Sequence, residues 1–243
     1  MVSETVTEKS PDRGDDVGIG ADGTMTKKID MQAEQVAIEY FTDHTDFSIL
    51  SEERGLVEQS GDGYIIMDPV DGTNNAVMDI PFYCISLAFT RTDLSDVEVA
   101  FVKNLSTMKE YHALRGKGSF KDGSPIQRPS LGEERVFSLY LGKEAVKETF
   151  RIAKKAGRVR SLGSAALTIC MVAEGNLDLY YHCTPDCKKS LRITDIAAAK
   201  LILEEVGGKI YDRSGDVLNM EIDPSMRENV IAIYDDSIKE EVL

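Results

Sequence analysis

Hydrophobic positions along the chain recur with two periods, and where each prevails sets out the fold. From Thr24 to about Asp43, residues Ile29, Ala33, Val36, Ala37, Tyr40 and Phe41 fall at helical spacing, predicting an amphipathic helix. Ahead of it lie a polar lead and a glycine-rich loop, Gly18-Ile19-Gly20-Ala21-Asp22-Gly23. Short apolar runs at Phe47 to Leu50 and Tyr64 to Met67 predict strands. Segments 82–91 and 97–103 are β-rich, joined by the hairpin-like Asp93-Leu94-Ser95-Asp96. Thr107 to His112 continues that pattern, and Lys121-Asp122-Gly123-Ser124-Pro125 makes another turn. The first half therefore predicts a largely antiparallel sheet flanked by helix.

The second half alternates strand and helix, as an α/β layer does. Strands are predicted over Val136–Leu141, Val159–Leu162, Leu177–His182 and Val230–Tyr234. Helices are predicted over Lys143–Ala156, from Gly163-Ser164-Ala165-Ala166 to about Glu174, and over Thr194–Val206. Thr194 is the expected N-cap of the last helix and Gly207-Gly208 its stop. The change of pattern near 130–135 divides the chain into halves, 1–132 and 133–243, that together make one compact unit.

Composition narrows the class. The chain has 243 residues, 42% of them hydrophobic, enough to bury a substantial core. Its 28 basic against 42 acidic residues give a net charge of −14, which argues against a nucleic-acid partner. No apolar run reaches the roughly 18 residues of a membrane span, and the polar N-terminus lacks a signal-peptide pattern, so a cytoplasmic location is expected. Cys84, Cys170, Cys183 and Cys187 are expected as free thiols; Cys183 and Cys187 read as small side chains beside a turn.

The candidate chemistry centres on Asp68-Pro69-Val70-Asp71-Gly72-Thr73, which follows the strand Tyr64–Met67. Pro69 helps end the ladder, so Asp68 and Asp71 can converge and the Val70 carbonyl is freed as a third oxygen ligand. Such oxygen donors suit magnesium. Gly72-Thr73-Asn74-Asn75 reads as a helix start whose backbone N–H groups attract phosphate, and the Thr73 hydroxyl could orient a water. Taken alone, the motif also fits a polar turn. Glu52-Glu53, after another strand, and Asp195, at a helix start, each read alone as a solvated pair and a dipole-stabilising acid. Three acidic positions at element ends together point to a shared metal centre.

In this order, Ser51-Glu52-Glu53, Asp68 to Thr73 and Thr194-Asp195-Ile196-Ala197-Ala198-Ala199 resemble the signatures of the inositol monophosphatase superfamily of metal-dependent phosphatases. The resemblance covers nearly the whole chain. Gly18 to Thr24 and Leu191 to Asp195 look most like archaeal members, which often hydrolyse both inositol phosphates and fructose 1,6-bisphosphate. The resemblance implies an αβαβα sandwich, a homodimer, and two or three magnesium ions. Glu52, Asp68 and the Val70 carbonyl would bind the first ion, and Asp68, Asp71 and Asp195 the second. Asp30 would pair with Thr73 to activate the attacking water, in line and without a phosphoenzyme. Asp22 would lie in a mobile loop over the metals. Gly72 and Thr73 would hold phosphate; Gly163, Ser164 and Ala165 would line the sugar or polyol. The chain departs from the family in having Thr194 where many relatives carry tryptophan, and in a short polar lead that shortens or removes the first helix.

The substrate is read from one further position. Several inositol phosphatases carry an acid seven residues before the last metal aspartate, where this chain has Lys188, followed by Lys189 and Arg192. Cations suit a second phosphate, so Lys188 and Arg192 are expected substrate residues, favouring fructose 1,6-bisphosphate alongside inositol monophosphate. Solvated surface lysines are the plain alternative. A 3′-phosphoadenosine 5′-phosphate or NADP phosphatase is the second functional expectation, and would need aromatic or apolar surface for adenine. A non-catalytic metal-binding regulator is the third, against which the intact acids and Thr73 weigh.

Overall fold

A computed structural model describes residues 1–7, 10–21, 23, 25–127, 130, 132–187 and 189–242. The N-terminal lead forms a short helix, α1 (Val2–Thr7), which buries Val6, and a ribbon of β1 (Asp16–Ile19) with β2 (Met25–Lys27). The first long helix, α2 (Lys28–His44), starts later than its periodicity implies because Met25 to Lys27 pair with β1 instead. Next come β3 (Ser48–Ser51), β4 (Gly55–Val57), β5 (Tyr64–Asp71), the short α3 (Thr73–Val77) and β6 (Cys84–Thr90). They are followed by β7 (Val97–Asn104), β8 (Glu110–Leu114), β9 (Ser119–Lys121) and β10 (Ser124–Pro125). These strands make an eight-stranded sheet in the order β10-β9-β8-β7-β6-β5-β3-β4, antiparallel except between β3 and β5.

The second half supplies β11 (Val136–Leu139), α4 (Lys147–Ala153), β12 (Arg158–Arg160), α5 (Ala165–Ala173) and β13 (Leu179–His182). It ends with α6 (Ile193–Glu204), β14 (Lys209–Tyr211), β15 (Val230–Ile233) and α7 (Ser237–Val242). Its sheet runs β12-β11-β13-β15-β14, with β11 parallel to both β12 and β13. Helix α4 is shorter than the predicted Lys143–Ala156, and β14 has no counterpart among the predicted strands.

The layers follow from which residues each face buries. Ile49, Ile65 and Met67 of the large sheet pack on Ala37 and Ile38 of α2. Leu50, Ile66 and Val102, on the opposite face, pack on α5 and α6 through Ile169, Ile196 and Leu201. Those helices also meet Tyr180, Ile210 and Ala232 of the small sheet. Phe137, Leu139 and Ile231 on its outer face are covered by Ile152 of α4 and Ile238 of α7. The result is an αβαβα sandwich. Every residue of α6 from Ile193 to Leu203 is buried, as a helix between two sheets requires. The alanines at 197–199 keep it thin enough to fit there. Among the described residues, no helix is long and apolar enough to cross a membrane. All four cysteines are free.

Two local differences from the sequence pattern shape the site. Strand β5 does not stop at Met67 but runs through Pro69 to Asp71. Asp68 pairs with Ser86 and Asp71 with Cys84, so the ladder is crossed by a bulge, where the missing N–H of Pro69 costs nothing. Helix α6 is capped by Arg192, not Thr194, because the Asp195 carboxylate accepts the Arg192 backbone N–H at 2.8 Å.

Candidate metal centre and catalytic pocket

The bulge in β5 re-aims the acids beside it. Carboxylate oxygens of Glu52, Asp68 and Asp195 lie within 4.8 Å of one another. They arrive from three elements: the turn after β3, the interior of β5 and the first turn of α6. The Asp68 carboxylate also accepts the Val70 N–H at 2.9 Å, which tightens the bulge. Asp71 lies next to this group, but its oxygens face the start of α5. They accept the Ser164 hydroxyl at 2.6 Å and the N–H groups of Ala165 and Ala166 at 3.1 and 2.7 Å.

Crowding acids out of water raises their proton affinity. Burial, followed by the charges of Glu52, Asp71 and Asp195, holds Asp68 well above the usual carboxylate range. Burial pushes Glu52 up to about 8 against the pull of Arg192, with Asp195 adding to the rise. Burial also lifts Asp71 to about 6, although the Ser164 hydroxyl works the other way. Among the described residues, the guanidinium of Arg192 reaches the cluster, where it bonds Glu52 and lies 3.9 Å from Asp195. Three oxygen-donor acids with one cation form a site that hard divalent cations fit.

The second grouping is Thr73 with Asp30. The Thr73 hydroxyl is 2.9 Å from the Asp30 carboxylate and 3.1 Å from the Val70 carbonyl, both acceptors. Burial pushes Asp30 up to about 7, opposed by the Thr73 hydrogen bond. Gly72 precedes α3 with φ of 95°, and a Cβ there would meet the Phe82 carbonyl at 3.1 Å, so the turn requires glycine. Asn75 ties this turn to the other half of the chain by donating to the carbonyls of Phe82 and Leu162 at 2.8 and 2.7 Å.

A pocket of about 460 Å³ opens over these residues, lined by Glu52, Asp68, Asp71, Thr73 and Asp195 on one side. Its other side comes from the carboxyl ends of the parallel strands β11, β12 and β13, the usual place for a ligand in an α/β sheet.

Several residues singled out from the sequence gather here: Val70, Gly72, Gly163 and Ala165 all line the pocket. Ser164 instead faces Asp71. Arg192, expected to meet substrate, is buried against the acids. Asp22 and Lys188 lie outside the described residues. Sequence reasoning missed Glu34, 2% exposed, whose carboxylate takes the N–H groups of Glu53 and Arg54 at 3.0 and 3.1 Å and the Ser51 hydroxyl. Its signal was present: Asp30 and Glu34 stand one turn apart among the buried positions of α2. Tyr140 and His182 were missed for lack of any local signal, since sheet register alone brings them to the pocket.

A family model described as "Inositol monophosphatase family" matches residues 3–241. The chain is 33% identical over 249 residues to the fructose-1,6-bisphosphatase/inositol-1-monophosphatase of Methanothermobacter thermautotrophicus, covering 96% of this chain and 87% of that one. It is 33% identical over 244 residues to the bifunctional NADP phosphatase/NAD kinase of Methanococcus maripaludis, covering 88% of this chain but only 42% of that longer protein. A solved Pyrococcus horikoshii protein, described as similar to inositol-1 monophosphatase, superposes with a TM-score of 0.84 at 30% identity. That match covers 96% of this chain and 88% of the other.

Proposed function

Because the chain belongs to the inositol monophosphatase family, we propose that it is a magnesium-dependent phosphomonoesterase acting on inositol monophosphate, fructose 1,6-bisphosphate or both. The observation that carries this reading is the convergence of Glu52, Asp68 and Asp195 to within 4.8 Å beside the Thr73–Asp30 pair. The donors are all hard oxygens, which suits magnesium. Glu52, Asp68 and Asp195 would hold two or three ions, with Asp71 and the Val70 carbonyl adjoining. When bound, the ions supply Lewis acidity, drawing charge from the phosphoryl group and making water acidic enough to attack.

The chain's own groups do the rest. With its proton directed to Asp30, the Thr73 oxygen is left to accept from a water and so orients it. As that water attacks, it passes a proton to Thr73, which passes its own to Asp30. A carboxyl lifted to about 7 is matched to receiving a proton near neutral pH. The N–H groups of Gly72 and Thr73 would hold the phosphate, and Gly163 and Ala165 the polyol side. Arg192 spends its charge on Glu52, so it acts as a positioning residue for the acids and not as a second-phosphate site. We take the two halves, 1–132 and 133–243, to be one catalytic unit, and the enzyme to be a cytoplasmic homodimer; light scattering tests its oligomeric state.

The test of function is phosphate release with magnesium from inositol 1-phosphate, fructose 1,6-bisphosphate and 3′-phosphoadenosine 5′-phosphate. Turnover of either of the first two above the third supports the reading. Preference for the third shifts the substrate class, and no release from any removes the enzymatic reading.

A further inference from the structure

The acid cluster carries a cation of its own. The Arg192 guanidinium bonds Glu52 through Nη1, and the same nitrogen lies 3.9 Å from Oδ1 of Asp195. Two of the three acids that would hold magnesium are therefore met at once by one positive charge. That charge is largely out of bulk water, since Arg192 is 8% exposed. Its backbone is pinned as well. Leu191 exchanges N–H···O bonds with Glu228 at 3.0 and 2.8 Å, and the Arg192 N–H donates to Asp195 at 2.8 Å.

Arg192 is one of several groups that position these acids, and the others do not depend on its guanidinium. The Glu52 loop is tied down at the next residues, where Glu34 accepts the N–H groups of Glu53 and Arg54. Asp68 is fixed by the Val70 N–H. Asp195 is fixed by the Arg192 backbone N–H, which any side chain at 192 leaves in place. What the guanidinium adds beyond these anchors is charge. Without a bound ion, that charge relieves the repulsion among Glu52, Asp68 and Asp195. With divalent ions on the same carboxylates, it faces like charge at close range, where solvent screens little. The guanidinium thus stabilises the ion-free cluster and opposes the ion-bound one. Both effects weaken ion binding.

Resting on the phosphatase reading above, we propose that Arg192 is a built-in competitor of magnesium: it shares Glu52 and Asp195 with the ions and so sets the magnesium concentration at which the site fills. Loss of its charge then tightens ion binding. A clamp that only aimed the acids would act in the opposite direction, because its loss would leave them disordered and weaken binding. The sign of the change separates the two roles.

The experiment compares chelator-treated wild type with Arg192→Met, which keeps an aliphatic stem without the charge, and Arg192→Lys, which keeps the charge. Calorimetric titration with magnesium reads affinity, and melting temperature is read in chelator and in saturating magnesium. Arg192→Met is expected to bind magnesium about tenfold more tightly than wild type, at the low end of coupling between close charges. Arg192→Lys stays near wild type. In chelator Arg192→Met melts below wild type, and saturating magnesium closes the gap. Equal or weaker binding by a folded Arg192→Met overturns the proposal, as does magnesium bound by neither protein. Binding by Arg192→Lys as tight as that of Arg192→Met also overturns it, since charge would then not be the cause. If Arg192→Met does not fold, wild type decides through the Arg192 side-chain N–H signals, assigned by their absence from Arg192→Lys. A shift on magnesium titration supports the shared site, and signals that ignore the ion overturn it. If wild type releases no phosphate the phosphatase reading fails, and the affinities still decide the competition.

Discussion

At the residue scale, the site is a balance between acids that repel and the few groups that hold them. Thr73 and Asp30 form one unit, so Thr73→Ala and Asp30→Asn are each expected to lower kcat by about 100-fold or more, in the range of positioned proton transfer. The double variant should lose little beyond the worse single one, because removing either partner would break the proposed relay. Steady-state kinetics on variants of unchanged melting temperature checks this; full additivity would show that the residues act separately. The raised carboxyls also carry a stability consequence. Asp71, Asp30 and Glu52 titrate at about 6, 7 and 8 in the fold, against about 4 when unfolded. Between those values the folded chain binds more protons than the unfolded one, so rising pH removes stability. In chelator, the melting temperature should therefore fall from about pH 5 to about pH 8. Glu52→Gln should flatten that slope, and magnesium should raise stability most at the upper end. A metal-free protein that gains stability across this range would contradict the assignment.

At the element scale, the loop carrying Glu52 is held from α2. Glu34 accepts the N–H groups of Glu53 and Arg54 at 3.0 and 3.1 Å. Glu34→Ala leaves the buried Ser51 hydroxyl without this acceptor, at about 1–3 kcal/mol, and frees the part-buried N–H groups of Glu53 and Arg54 at smaller cost. It is expected to lower stability and to weaken magnesium binding together, by calorimetry on the folded variant. A stable variant with unchanged affinity would show that the loop needs no anchor. Much at this scale was legible in the sequence. The 3.6 period of α2 and the turn residues Asp122 and Gly123, both at positive φ between β9 and β10, declared themselves locally. Glu52, Asp68 and Asp195 were legible as acids at element ends, and their convergence followed once the family order was seen. The bulge at Pro69 was not, because a proline after an apolar run reads as a strand end. Only the partner strand β6 reveals that pairing resumes at Asp71 and Cys84. The start of α2 was misplaced for the same reason: Met25 to Lys27 continue a helical pattern, and pairing with β1 overrides it. Tyr140, Ser138 and His182 depend on register between β11 and β13, which no local pattern fixes.

At the scale of the whole molecule, α5 and α6 join the two sheets into one buried cluster running from Leu50 and Val102 through Ile196 to Ala232. The site spans the same joint, with Glu52 and Asp68 from the large sheet, Asp195 from α6, and Asp71 bonded to the start of α5. Unfolding is accordingly expected as a single cooperative transition, with far-UV and near-UV signals coincident; two separated transitions would make the halves independent. Glu52, Asp68 and Asp195 are proposed as the cation centre on which hydrolysis depends. Its most direct test is calorimetric titration of magnesium into chelator-treated wild type and Asp68→Asn, each then assayed for phosphate release from fructose 1,6-bisphosphate. Saturable binding and magnesium-dependent turnover are expected in wild type, with both lost in a folded Asp68→Asn variant. Magnesium binding or turnover that survives the substitution would contradict it.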